Sequence, residues 1–140
     1  MPHLSTFAFS DDSSQVMTSE GPVLQIINPQ NLFTIPFIPG TFSFSVTLGI
    51  LDLNPHKDHA VKLVIRNAEH EEYVVLDSKD MVVPRNPNFN SSIPEGAHGV
   101  LFNLDFRNLP FKKEGKYVAE IYVDHNKIDE RNFFIVSQGQ

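Results

Sequence analysis

Alternation of apolar and polar residues is the dominant pattern along the chain. In "TFSFSVTLGI", Phe42, Phe44, Val46, Leu48 and Ile50 alternate with Thr41, Ser43, Ser45, Thr47 and Gly49. A period of two puts every apolar side chain on one face, which predicts a half-buried strand and excludes an amphipathic helix. The same alternation predicts strands at Val61, Leu63 and Ile65, at Val100, Phe102, Leu104 and Phe106, and at Tyr117, Ala119, Ile121 and Val123. Weaker strand patterns lie in "LSTFAF", "QVM", "VLQII", "EYVVLD", "MVVP" and "IDERNFFIV", each bounded by turn-forming Asn, Pro, Asp, Ser or Gly. No segment sustains a 3.6-residue period, so little helix is expected.

Short strands separated by turns predict an all-β fold of two packed antiparallel sheets, with about 7–9 strands; a closed barrel is the alternative. The 140 residues suit one domain, 1–140, large enough to bury a single core. Residues 1–20 form an N-terminal strand region. Residues 78–99 carry Pro84, Pro87 and Pro94 around Phe89 and read as irregular. Such a stretch is either a functional loop or a sheet-to-sheet crossover carrying a short edge strand through "MVVP", the commoner arrangement in Greek-key sandwiches.

Charge changes this picture. The net charge is −6, which disfavours a nucleic-acid binder, since that would present a basic face. Its distribution says more: no Lys or Arg precedes Lys57, and Gly21 to Leu51 holds no charged residue and no His. Exposed strand edges are normally guarded by charge, and here the guards are Pro22, Pro29, Pro36 and Pro39. One explanation is that Ser43, Ser45 and Thr47 meet a protein partner or a second subunit. The other is a Ser/Thr-rich outer face whose strands are paired on both sides, which needs no partner. There is no cysteine, so disulfides and thiolate chemistry are excluded. The start "MPHLSTFAFSDD" resembles no leader, and no apolar run approaches the ~20 residues of a membrane helix. A cytoplasmic protein without membrane insertion is expected.

Candidate chemistry is sparse. His56, Asp58 and His59 in "NPHKDH" and Glu69 to Glu72 around His70 offer ligand types for a divalent metal. They flank one predicted strand, and an extended strand of this length would hold them about 20 Å apart. Two solvated turns explain them better. No Gly-x-Ser-x-Gly elbow and no glycine-rich phosphate loop occurs. Adjacent acids such as Asp129 and Glu130 would point to opposite faces of a strand. Lys112, Lys113 and Lys116 form the one basic cluster, in a predicted loop. With no Trp and 3 Tyr against 12 Phe, the aromatic platforms of sugar binders are lacking.

The end of the chain carries a resemblance. Glu114, Gly115, Lys116 and Tyr117 lead into the alternating Ala119, Ile121 and Val123, then a tight turn and a final segment, Ile128 to Val136. This is similar to the closing strands of immunoglobulin-like and fibronectin-type sandwiches. The resemblance implies that Tyr117 is the tyrosine-corner residue and that Gly115 is structural. Ala119 stands where antibody domains carry their second cysteine. More broadly the chain looks similar to small uncharacterised bacterial domains of unknown function, from which no catalytic residue carries over. In the hairpin, His125 and Asn126 are the expected central pair, Asn126 taking the positive φ of a tight turn. Taken together these features predict a non-catalytic binding or assembly module without cofactor, acting through a protein partner or as a homo-oligomer by its uncharged 21–51 region. The alternatives are a metal-dependent hydrolase or isomerase using His56, His59 and His70, and an adhesin-type ligand binder using the 78–99 loop.

Overall fold

The computed structural model describes residues 1–138. Ten strands follow in order: β1 His3–Thr18, β2 Gly21–Pro29, β3 Leu32–Ile35, β4 Gly40–Leu51, β5 His59–Asn67, β6 Val74–Asp77, β7 Met81–Val83, β8 Gly99–Phe111, β9 Gly115–Val123 and β10 Asn126–Ser137. A single 3-10 turn, Glu95–Ala97, is the only helix among the described residues. The strands form a four-stranded sheet ordered β2-β1-β4-β8 and a six-stranded sheet ordered β3-β10-β9-β5-β6, with β7 also on β5.

The two sheets face each other across the alternating apolar rows. Phe44, Val46, Leu48 and Ile50 of β4 meet Val61, Leu63 and Ile65 of β5 and Tyr117, Ala119 and Ile121 of β9, all essentially inaccessible to solvent. Phenylalanines cluster within this core: Phe33, Phe44 and Phe133 pack with tilted and edge-on rings, centroids 5.4 to 6.2 Å apart. Offset and edge-on packing of this kind exploits the ring quadrupole without requiring polar partners.

The ten strands exceed the 7–9 expected, and two departures from the expected segments act on that count in opposite directions. "LSTFAF" and "QVM" merge into the single bent β1, whereas "LFTI" adds β3, too short for periodicity to reveal. β3 also pairs parallel with β10, so the larger sheet is mixed rather than purely antiparallel. The 78–99 segment is a crossover: β7 pairs with β5, and the chain then passes to the other sheet at β8.

Candidate functional site

Tyr117 enters β9 behind Gly115, whose φ of 121° is a conformation that other residues adopt poorly. The Tyr117 hydroxyl donates to the Lys113 carbonyl at 2.7 Å, and burial pushes the phenol up to about 12. That is the tyrosine corner in full, tying the β8–β9 loop to the strand that leaves it. Tyr73 reinforces it, donating to the Pro110 carbonyl at 2.9 Å and accepting from the Lys112 amide at 2.8 Å.

At the opposite end, the β4–β5 loop meets the β9–β10 turn around a cleft of about 600 Å³ lined by Asp52, Leu53, Lys57, Glu95 and Lys127 among others. His59 is buried beside it. Its Nε2 donates to the Asn54 carbonyl at 2.9 Å, and its Nδ1 lies 2.7 Å from Asp124 Oδ2. Asp124 Oδ1 also accepts the Ala60 amide at 2.9 Å. Burial opposes ionisation of Asp124, but the Ala60 amide and the His59 ring outweigh it and hold the carboxyl below its usual range. Both ring nitrogens of His59 are thus engaged by oxygens of the protein, and neither is free to ligate a metal.

The turn itself corrects the sequence reading. Asp124 and His125, not His125 and Asn126, are the central pair, with φ of 50° and 72°. Asn126 pairs with Val123 at the base of β10, and its side-chain amide donates to the Asp124 carbonyl at 3.3 Å. The left-handed conformation falls on Asp124 because its carboxylate is anchored on β5 by Ala60 and His59, a long-range tie that local turn preference does not contain.

The other histidines lie apart. His56 is exposed beside Glu95, at 3.3 Å, and His70 sits 3.8 Å from Glu72 in the β5–β6 turn, beyond the far end of β5. A nine-residue strand between His59 and that turn spans about 27 Å. Among the described residues no three metal-ligating side chains converge. Phe89 is half-buried, its ring edge-on to His98 at 5.4 Å and to His56 at 6.5 Å, so it pins the 84–98 segment and is no free anchor.

The face carrying Ser43, Ser45 and Thr47 is not open either. Ser45 and Thr47 are 2% and 1% exposed. What covers them is the chain's own arm. Beyond Ser10, where β1 leaves β4, the β1–β2 hairpin bends over the outer face of its sheet, and the Ser13 hydroxyl reaches Asn103 of β8. Ser45 donates to Asp105, and Ser13 lies 3.5 Å from the same carboxylate oxygen. Ser10 and Ser13 are buried in this seam, and the Thr47 hydroxyl is buried with no hydrogen-bond partner among the described residues. Ser43 caps a bulge in β8, accepting the Asn108 amide at 2.9 Å. The expectation that Ser45 and Thr47 present a contact face therefore fails, because a hairpin that sequence periodicity left separate folds onto them.

Sequence reasoning missed the arm's own surface. β1 is the one element that packs extensively on β2, and the other edge of β2 is the end of its sheet. Val16 pairs with Val23, and Ile27 lies two pairs further along the same face, so these three share the outward side of the arm. They are 40%, 49% and 44% exposed. Elsewhere exposed apolar side chains such as Phe37 and Val82 stand singly, or, at Leu32 and Phe134, as one cross-strand pair. The outer face of the six-stranded sheet is charged instead: Glu120 meets Arg66 at 2.9 Å and Lys127 at 3.4 Å, and Lys62 lies 4.8 Å over the Tyr122 ring.

The topology defines the class. β1, β4 and β8 stand as strands A, B and E of an immunoglobulin-like sandwich, and β5, β9 and β10 as C, F and G, with β6 added at the C edge and the tyrosine corner on F. Within that class the chain belongs to DUF6941, a family of unknown function, whose profile matches residues 25–136. No curated protein matches it. Among solved structures it is similar to the Pseudomonas fluorescens alkylpurine DNA glycosylase AlkC bound to DNA containing an abasic site analog, at 6% identity and a TM-score of 0.55. That match covers 96% of this chain but 30% of the glycosylase, and it concerns fold alone. An immunoglobulin-like protein from Pseudomonas aeruginosa matches over 96% of both chains at 7% identity and a TM-score of 0.41. No helix among the described residues is long and apolar enough to cross a membrane.

Proposed function

We propose that this protein is a non-catalytic binding or assembly module whose binding element is the β1–β2 arm. The observation that carries this reading is the coincidence of three properties on β2: a free sheet edge, an exposed apolar row with Val16, and no charge. An unguarded edge of this kind is a template for strand addition, in which backbone hydrogen bonds supply affinity and alternate side chains supply selectivity. The other side of the arm, where the buried Ser13 pairs with the half-buried Ile26, faces the sandwich, so the contact surface is the outer row and edge. The hydrogen bonding of both His59 ring nitrogens and the separation of His56 from His70 favour this over a metal-dependent enzyme.

Site-specific photo-crosslinking in the producing cells tests the reading. A benzophenone side chain at Val23 should give discrete protein adducts that Ile27→Lys abolishes, and one at Lys62 on the charged face should not. Equal adducts at both positions, or none at Val23, would refute the arm as the binding element.

A further inference from the structure

Resting on that reading of the arm, we infer that its partner is a second copy of this chain, joined by antiparallel pairing of β2 with β2 about a two-fold axis through Gln25. The segment Val23-Leu24-Gln25-Ile26-Ile27 reads apolar, apolar, amide, apolar, apolar, the same in either direction. A two-fold axis perpendicular to a sheet keeps each face on its own side, so it must pass through a residue position and pair residues of equal parity.

The three inner residues of the segment are the centres that keep neighbours on both sides within it. Centred on Leu24, the axis sets Val23 against Gln25 and Pro22 against Ile26. Centred on Ile26, it sets Gln25 against Ile27 and Leu24 against Asn28. Only the Gln25 centre sets Val23 against Ile27 and Leu24 against Ile26 on both sides, with the two Gln25 amides opposed. Val16 extends the resulting apolar row, since it is the cross-strand neighbour of Val23.

Charge selects the same occupant. Each copy carries a net −6, so a self-contact faces like charge with like nearly everywhere, and a strand without charge removes that repulsion from the contact. Pro22 and Pro29 bracket the segment, each lacking an N–H, and confine pairing to the residues between them. The contact is isologous and closes. The two four-stranded sheets become one continuous sheet whose outer edges are the β8 strands, which carry Asp105 and Arg107.

The absence of cysteine makes the test direct. Purified wild-type protein should show a concentration-dependent dimer in sedimentation velocity. Gln25→Lys and Gln25→Glu, each of which sets like charges against each other on the axis, should weaken dimerisation about tenfold or more while leaving the melting temperature of the monomer unchanged. Mixing those two variants should restore a dimer, which only a homotypic contact through position 25 achieves. Gln25→Cys should oxidise to a covalent dimer, and Lys62→Cys should not. A wild-type monomer throughout the concentration series, or a dimer indifferent to both charge substitutions, overturns the inference. If Val23 adducts to a different protein accompany a monomeric wild type, the arm reading stands and the second copy falls. If Val23 gives no adducts at all, both fall.

Discussion

Replacing Asp124 by Asn isolates the charge of the carboxylate that joins the two loops at the cleft end of the sandwich. Asn keeps the shape, tolerates the φ of 50° at this position, and leaves an oxygen for the Ala60 amide. What it removes is the anionic acceptor 2.7 Å from the buried His59 Nδ1. A charge-assisted hydrogen bond contributes about 1.5–3 kcal/mol, and the 37% exposure of the Asp124 side chain screens it, so a loss of about 1–2 kcal/mol is expected. Asp124→Ala also strips the Ala60 amide of its acceptor and forces a β-carbon without a compensating polar group into the left-handed region, and should cost about 3–4 kcal/mol. For a domain of this size that is a fall of about 9–16 °C in melting temperature.

Linkage supplies an independent check. The Asp124 carboxyl is depressed in the folded state, so its contribution is complete above the unfolded value of 3.8 and fades as pH falls through the lower folded value. Urea denaturation of wild type and Asp124→Asn should therefore differ at neutral pH and converge below about pH 3.8. Equal stability at neutral pH, or a gap that persists unchanged into acid, would refute the assignment of the carboxylate as a charged tie.

Tyr117→Phe removes the donor to Lys113 and leaves that carbonyl to water at the loop, a loss of about 1–2 kcal/mol by urea denaturation with the strand pairing intact by circular dichroism. Thr47→Val replaces a buried, unpartnered hydroxyl by a methyl of the same shape and should stabilise by about 1 kcal/mol. Ser45→Ala, one pleat away in the same seam, should instead destabilise by about 1–2 kcal/mol, because it deprives Asp105 of a donor. Opposite signs for these two neighbours, read as shifts in melting temperature, distinguish a satisfied from an unsatisfied seam position.

The central strands were legible because each buries one face, and burial of one face writes itself as a period of two. Phe44 to Ile50 and Tyr117 to Val123 needed no context, and the tyrosine corner followed from the residues that build it. β3 was not legible, since four residues cannot establish a period and its partner lies a hundred residues on, at Phe134 to Ser137. The turn was misplaced by one residue for the same reason: the anchor of Asp124 is on β5. Ser45 and Thr47 misled because polar residues on alternate positions normally mark a solvent face, and here the solvent face is roofed by a second polar layer. The uncharged run from Gly21 to Leu51 was visible, but it contains two different things. β4 is paired on both sides and needs no guard, whereas β2 is an edge.

That distinction changes what the missing charge means. In β4, neutrality accompanies burial: a Lys or Asp at Ser45 or Thr47 would be trapped beneath the arm with its charge desolvated, so selection for folding alone suffices to exclude it. In β2, folding imposes no such exclusion, because Val23, Gln25 and Ile27 are solvent-facing and a lysine there would cost the isolated sandwich almost nothing. A single charge would also protect the edge against unwanted pairing, the usual solution for an exposed strand. The absence of that protection, on an edge that the fold itself leaves open, is what a surface kept for pairing requires. A Val23→Lys variant separates the two demands: its melting temperature as a monomer should equal that of wild type, and its dimer should be lost. A fall in the stability of the monomer itself would show that β2 is neutral for the sake of the fold.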